Sequence, residues 1–102
     1  MAKDVRGDWD LHQSNGFTLH VEVADEDPDG SFTGKANVHG KAGFTPLTDT
    51  RATDDEFTFQ MGPGRYTGRF DFQGRLTGIT FDTAHPQSQA TWFADKLFGP
   101  LV

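Results

Sequence analysis

The word G-x-(aromatic or Leu)-T-G occurs three times, as Gly30-Ser31-Phe32-Thr33-Gly34, Gly64-Arg65-Tyr66-Thr67-Gly68 and Gly74-Arg75-Leu76-Thr77-Gly78. In an extended chain its apolar third residue and its closing glycine share one face. A missing side chain at that closing position lets a strand coil sharply and leaves room for a large neighbour. Two copies lie within 62–83, where Pro63-Gly64 and Gln73-Gly74 read as turns and Phe70-Asp71-Phe72 alternates aromatic with polar. The stretch predicts two short antiparallel strands, and the repetition predicts a meander.

The rest of the chain follows the same rhythm. Over Arg6–Gln13, Trp9, Leu11 and Gln13 share a face opposite Asp8, Asp10 and His12. Asn15-Gly16 predicts a type I′ hairpin, because both residues tolerate positive φ. Phe17, Leu19, Val21 and Val23 then alternate with Thr18, His20 and Glu22, and after an acidic turn Phe32, Gly34, Ala36 and Val38 form a third apolar row. His39–Gly43 reads as a turn, and Phe44–Asp49 as a weak strand with Pro46 confined to an edge or bulge. A second acidic stretch, Asp49–Glu56, leads to Phe57, Phe59 and Met61. Beyond Gly78, Ile79 and Phe81 leave the face of Leu76, which predicts a bulge. His85–Gln89 breaks the pattern. Ala90–Phe98 reads as a closing strand; its alternative is a helix over 89–98, capped by Ser88 and burying Ala90, Phe93, Ala94 and Leu97.

These elements predict an all-β chain, a small antiparallel up-and-down barrel of seven to eight strands, with a β-sandwich as the alternative. A length of 102 residues fits one domain over 1–102, with residues 1–5 as a flexible N-terminus. Ten phenylalanines supply the core, since each buried ring removes about 150–250 Å² from water.

A net charge of −6 with no basic run argues against nucleic acid, whose phosphates need clustered Lys and Arg. No apolar stretch reaches the roughly 20 residues of a membrane-spanning helix, so no membrane partner is expected. Zero cysteines removes disulfides, thiolate chemistry and Cys-ligated zinc. With no hydrophobic leader at the N-terminus, these features point to a cytoplasmic protein.

Gly7-Asp8-Trp9 resembles the opening G-x-W strand of the avidin and streptavidin family, and Asp29-Gly30-Ser31-Phe32-Thr33-Gly34 resembles its D-G-x-x-T-G hairpin. The likeness covers residues 7–36. It implies an eight-stranded barrel with a pocket at one open end and frequent oligomers. That family's biotin pocket uses several tryptophans, whereas this chain has only Trp9 and Trp92, so the implied ligand is a different one.

Alternating strand direction sorts the turns into two ends. One end collects the acidic turns; the other carries 14–16, 39–43, 62–64 and 84–89 and is the expected mouth of an aromatic-lined pocket. Ser14, Asn15, His39, His85, Gln87 and Ser88 are its candidate polar contacts, and Trp9, Tyr66, Phe70 and Trp92 its candidate floor. The expected ligand is a hydrophobic or amphipathic small molecule. A cofactor-free cyclase or isomerase, with Asp82, His85 and Tyr66 as catalytic candidates, is a second reading. A protein-interaction or assembly module is a third, because Phe93, Leu97, Phe98, Leu101 and Val102 must either cap the barrel or join a homo-oligomer. No cofactor is called for and no metal ligand is assigned. Asp25-Glu26-Asp27-Pro28-Asp29-Gly30 starts like a calcium loop but has Ala36 at the twelfth position, so it reads as a solvated turn. His12 and His20, beside Asp10 and Glu22, read as cross-strand charge pairs.

Overall fold

Leu19, Val21 and Val23 are buried while Thr18, His20 and Glu22 between them are not, and this period of two organises the whole computed structural model, which describes residues 2–101. The strands are β1 (Gly7–Gln13), β2 (Thr18–Glu26), β3 (Phe32–Val38), β4 (Thr45–Pro46), β5 (Thr48–Ala52), β6 (Glu56–Met61), β7 (Gly64–Phe70), β8 (Arg75–Asp82) and β9 (His85–Leu97). They form one antiparallel sheet in the order β4-β3-β2-β1-β9-β8-β7-β6-β5. First and last strands meet through Leu11↔Ala94, His12↔Phe93 and Gln13↔Trp92.

The remaining seam lies between β3 and β5; β4, paired with β3, and β5, paired with β6, are two halves of one stave broken at Leu47. The Leu47 N–H donates to the Gly34 carbonyl at 2.9 Å, and the Ala52 N–H to the Gly30 carbonyl at 2.6 Å. Between them Thr50 Oγ1 accepts from the Phe32 N–H at 3.1 Å and donates to the Phe32 carbonyl at 2.5 Å. A side chain thus stands in for missing ladder bonds, and the sheet becomes a nearly closed barrel. Pro46 sits opposite Lys35 at this edge, where a residue without an N–H is tolerated.

Aromatic rings fill the interior. Phe57, fully buried, lies 5.3 Å from Phe32, 5.6 Å from Phe59, 5.7 Å from Trp9, 6.2 Å from Phe70 and 6.3 Å from Trp92, centroid to centroid. Room for Trp92 comes from Gly68, and Gly78, its partner across β7 and β8, lets the two backbones lie close together.

One end is sealed by the chain's own termini. Val5 and Phe98 are buried there, with the Asp4 N–H on the Gly99 carbonyl at 2.8 Å and the Leu101 N–H on the Ala2 carbonyl at 2.7 Å. Phe98 packs on Trp9 at 5.1 Å and on Phe70 at 5.6 Å, so the capping role expected of the C-terminal apolar residues falls to it. Val102 lies outside the described residues.

The closing-strand reading of the last element holds over its helical alternative, and three local expectations are corrected. Residues 89–98 form no helix, because Trp92 faces in while Phe93 and Leu97, 53% and 63% exposed, face out. The break at His85–Gln89 is a bulge inside β9: the chain turns at Thr83-Ala84, and pairing jumps from Asp82↔His85 to Phe81↔Gln89. No bulge follows Gly78; Ile79 and Phe81 simply occupy the outer face, and Thr80 the inner. The first hairpin is a three-residue loop in which only Gly16 has positive φ (94°), a type I turn with a glycine bulge in place of type I′. The sandwich alternative falls with the β1–β9 pairing. Among the described residues there is no helix, hence none long and apolar enough to cross a membrane.

Candidate functional site

At the end opposite the described termini, polar side chains surround a shallow depression. Gln13 from the end of β1, Asn15 from the following loop, Pro63-Gly64, Thr80 and Asp82 from β8, and Ser88–Ala90 from β9 line it, and its volume is about 340 Å³. Alternation brings Gln13 and Thr80 there, since each continues an inward-facing row past its last apolar member.

Beneath them lies Tyr66, 6% exposed and stacked on Phe59 at 4.6 Å with ring planes 10° apart. Its hydroxyl accepts a hydrogen bond from Gln13 Nε2 at 2.8 Å. Burial pushes the phenol above its ordinary range, and hydrogen bonding from Thr80 and Gln13 offsets only part of that. At neutral pH the group is therefore an uncharged hydroxyl, a donor and acceptor and no base. Asp82 presents Oδ1 to the Ala84 N–H at 2.8 Å, which spends one carboxylate oxygen on the β8–β9 turn.

Of the residues singled out from sequence, Asn15, Ser88 and Asp82 line this depression, and Tyr66, outside the lining, is tied to it through the Gln13 side chain. Ser14 instead ties β1 to β9, its Oγ accepting from the Thr91 N–H at 3.0 Å. Gln87 and His85 are exposed and outside the lining, although His85 sits opposite Asp82 in the ladder. Trp92 is in the middle of the core, its Nε1 donating to the Ile79 carbonyl at 2.8 Å. Trp9 and Phe70 lie at the sealed end, Trp9 with Nε1 on the Val5 carbonyl at 3.1 Å. Gln13 and Thr80 were missed as site residues. Gln13 carried a signal, a polar side chain closing the Trp9–Leu11 row beside a turn.

His39 goes elsewhere. On the outer surface of β1 and β2, His20 Nδ1 is 2.9 Å from Asp10 Oδ1 and its Nε2 is 3.2 Å from Glu22 Oε2. His39 Nε2 lies 3.8 Å from the same Asp10 oxygen. On the other flank His12 Nε2 is 3.7 Å from Asp95 Oδ2. The hydrogen bond to Asp10 is the largest reason the His20 imidazole is held above its ordinary range, with Glu22 adding to it.

The acidic turn at 27–31 uses its carboxylates on itself. Asp29 Oδ1 accepts from the Ser31 N–H at 3.0 Å and from Ser31 Oγ at 2.8 Å, contacts that lower its pKa.

A nearly closed antiparallel barrel is compatible with an avidin-like fold. No protein-family model matches the chain, and neither a curated protein nor a solved structure matches it.

Proposed function

We propose that this barrel binds a compact amphipathic small molecule at the end opposite its described termini. The asymmetry between the two ends carries the reading: the termini pack over one, while the other carries a depression of about 340 Å³ whose lining residue Gln13 hydrogen-bonds the Tyr66 hydroxyl. That size is near the lower bound of ligand sites, roughly 300–1,000 Å³, so the ligand is small. Because the rings pack against one another below, it rests on the aromatic core rather than within it. The amides of Gln13, Asn15 and Gln89 offer donors and acceptors, and Asp82 favours a donor or cationic group on the ligand. Binding is preferred over turnover, since the neutral Tyr66 is no base and His85 stands outside the lining. A fragment screen read by amide and side-chain chemical shifts tests this. Perturbations clustering on Gln13, Asn15, Thr80 and Ser88 support it, and a library that perturbs only other surfaces overturns it.

A second reading, self-association, rests on the outer face of β8 and β9. Ile79, Phe93 and Leu97 are 39%, 53% and 63% exposed there. Register places Ile79 opposite Thr91, diagonal to Phe93, with Thr77 opposite Phe93 and Arg75 opposite Leu97, so the exposed apolar groups share one face with polar residues between them. Such a face of exposed apolar side chains is suited to pairing with a second copy of the chain.

A further inference from the structure

We propose that Asp10, His20 and His39 form a binding site for a divalent transition-metal ion, Zn²⁺ foremost, on the outer surface of the β1–β2–β3 sheet. One ligand atom from each of the three lies within 4.8 Å of the others. Tetrahedral zinc with bonds of about 2.0–2.2 Å needs ligand atoms about 3.4 Å apart. The observed separations from Asp10 Oδ1, 2.9 Å to His20 Nδ1 and 3.8 Å to His39 Nε2, bracket that value. The third separation, between His20 and His39, is within 4.8 Å, so closing on an ion requires movements of about an ångström in side chains that are 28–54% exposed.

The surroundings have the character of a built site. A metal-bound imidazole is commonly oriented by a carboxylate on its other nitrogen. Glu22 Oε2, 3.2 Å from His20 Nε2, occupies that position and leaves Nδ1 to the ion. Asp95 Oδ1 accepts the Asp10 N–H at 3.0 Å and so links β9 to the ligand strand. His39 is presented by a turn whose shape is set by Gly40 and Gly43, at φ 87° and 84°. Asn37 Nδ2 pins that turn through the Lys41 carbonyl at 2.8 Å and the Gly43 carbonyl at 2.6 Å. The ring of Phe44 meets that of His20 edge-on at 6.3 Å and walls one side.

Two imidazoles and one carboxylate select the metal class. Calcium and magnesium prefer oxygen alone, whereas imidazole suits zinc, copper and nickel. Three protein ligands leave a fourth position for water.

The test is titration of chelator-treated protein with Zn²⁺ alone, by calorimetry and native mass spectrometry. One ion per chain is expected. His20→Ala and His39→Ala should each weaken binding at least about tenfold, and Glu22→Gln by about 10–100-fold through loss of the orienting carboxylate. His85→Ala, on the remote fourth histidine, should leave affinity unchanged. All four positions are on the surface, and thermal melts of each variant verify folding. Three results overturn the proposal: equal affinity of wild type and His39→Ala, loss of binding in His12→Ala with retention in His39→Ala, or weak multi-site uptake that His85→Ala reduces as much as the others.

Discussion

A Cβ placed on Gly68 would stand 2.7 Å from Cη2 of Trp92 and 2.9 Å from its Cζ2. The glycine that closes the second copy of the repeated word is thus the space the largest core ring occupies. On Gly78, its partner across the ladder, a Cβ would collide with the Thr67 carbonyl oxygen and lie 2.6 Å from Gly68 Cα, and backbone gives way less readily than a ring. Gly78→Ala and Gly68→Ala should each destabilise the fold by about 1–3 kcal/mol, the cost of forcing atoms into a packed interior. Gly99→Ala, with nothing within 4 Å, should change little. Urea unfolding checks all three, and a Gly78→Ala protein as stable as Gly99→Ala would remove the steric account of the repeat.

Thr50 replaces ladder hydrogen bonds at the barrel's weakest seam. Removing its hydroxyl leaves both the N–H and the carbonyl of Phe32 without a partner on a residue whose ring is buried. An unsatisfied buried polar group costs about 1–3 kcal/mol, so Thr50→Val should lose at least that, while Thr50→Ser should stay near wild type. Hydrogen exchange gives a local readout: the Phe32 amide should lose protection in Thr50→Val and keep it in Thr50→Ser. Unchanged protection in both would show that the seam is held by the neighbouring backbone bonds alone.

The inward rows were legible in the sequence because period-two alternation is a local property; Trp9-Leu11, Leu19-Val21-Val23 and Phe57-Phe59 are where the pattern puts them. Apolar character alone did not tell inside from outside, which is why surface residue Ile79 suggested a bulge and surface residue Phe93 left a helix open as the alternative to the closing strand. Contacts between distant residues were also hidden. The Gln13–Tyr66 hydrogen bond spans 53 positions, and the approach of His39 to Asp10 depends on the path of a glycine turn that no periodicity encodes. The candidate mouth was legible as an end of the barrel, through strand direction, and far less so residue by residue.

Tyr66 links core and mouth. Tyr66→Phe keeps the stacking on Phe59 but strips Gln13 and buried Thr80 of a partner. It should cost about 1–3 kcal/mol, the penalty for a buried polar group left without a partner. Gln13→Ala in the Tyr66→Phe background should then add little, because the pair acts as one unit. Full additivity in the double-mutant cycle would break the inferred coupling.

Phe93→Glu places a charge on the outer face that also carries exposed Ile79 and Leu97. If copies of the chain pair through that face, sedimentation should show a concentration-dependent dimer for wild type and a monomer for Phe93→Glu. Thermal stability of the monomer should hold, since the side chain is 53% exposed. A wild-type monomer throughout the concentration range sinks the self-association reading.

Glu26 makes stability depend on pH from the sealed end. Its Oε1 accepts the Val5 N–H at 2.8 Å, while Oε2 is buried with no partner. Burial, the largest influence, raises its pKa above 4.5, and the nearby Asp4 carboxylate pushes the same way; the Val5 hydrogen bond and the Arg6 charge oppose them. A raised carboxyl pKa means the folded chain holds this proton more tightly than the unfolded one. Its contribution is therefore fully present below about pH 4.5 and is lost as pH rises through the folded value. Asp4 works in the opposite sense: its hydrogen bond to Arg6 lowers its pKa below 3.8, so its contribution exists above that pH and fades in acid. Glu26→Gln keeps an acceptor for Val5 and cannot ionise. Its melting temperature should exceed that of wild type at pH 7 and converge with it near pH 4, a flattening of the profile on the alkaline side only. About 1 kcal/mol corresponds to roughly 4–8 °C in a domain of this size, so even a fraction of that is measurable. A constant offset between the two proteins from pH 4 to pH 7 would mean that Glu26 ionises as freely in the fold as out of it.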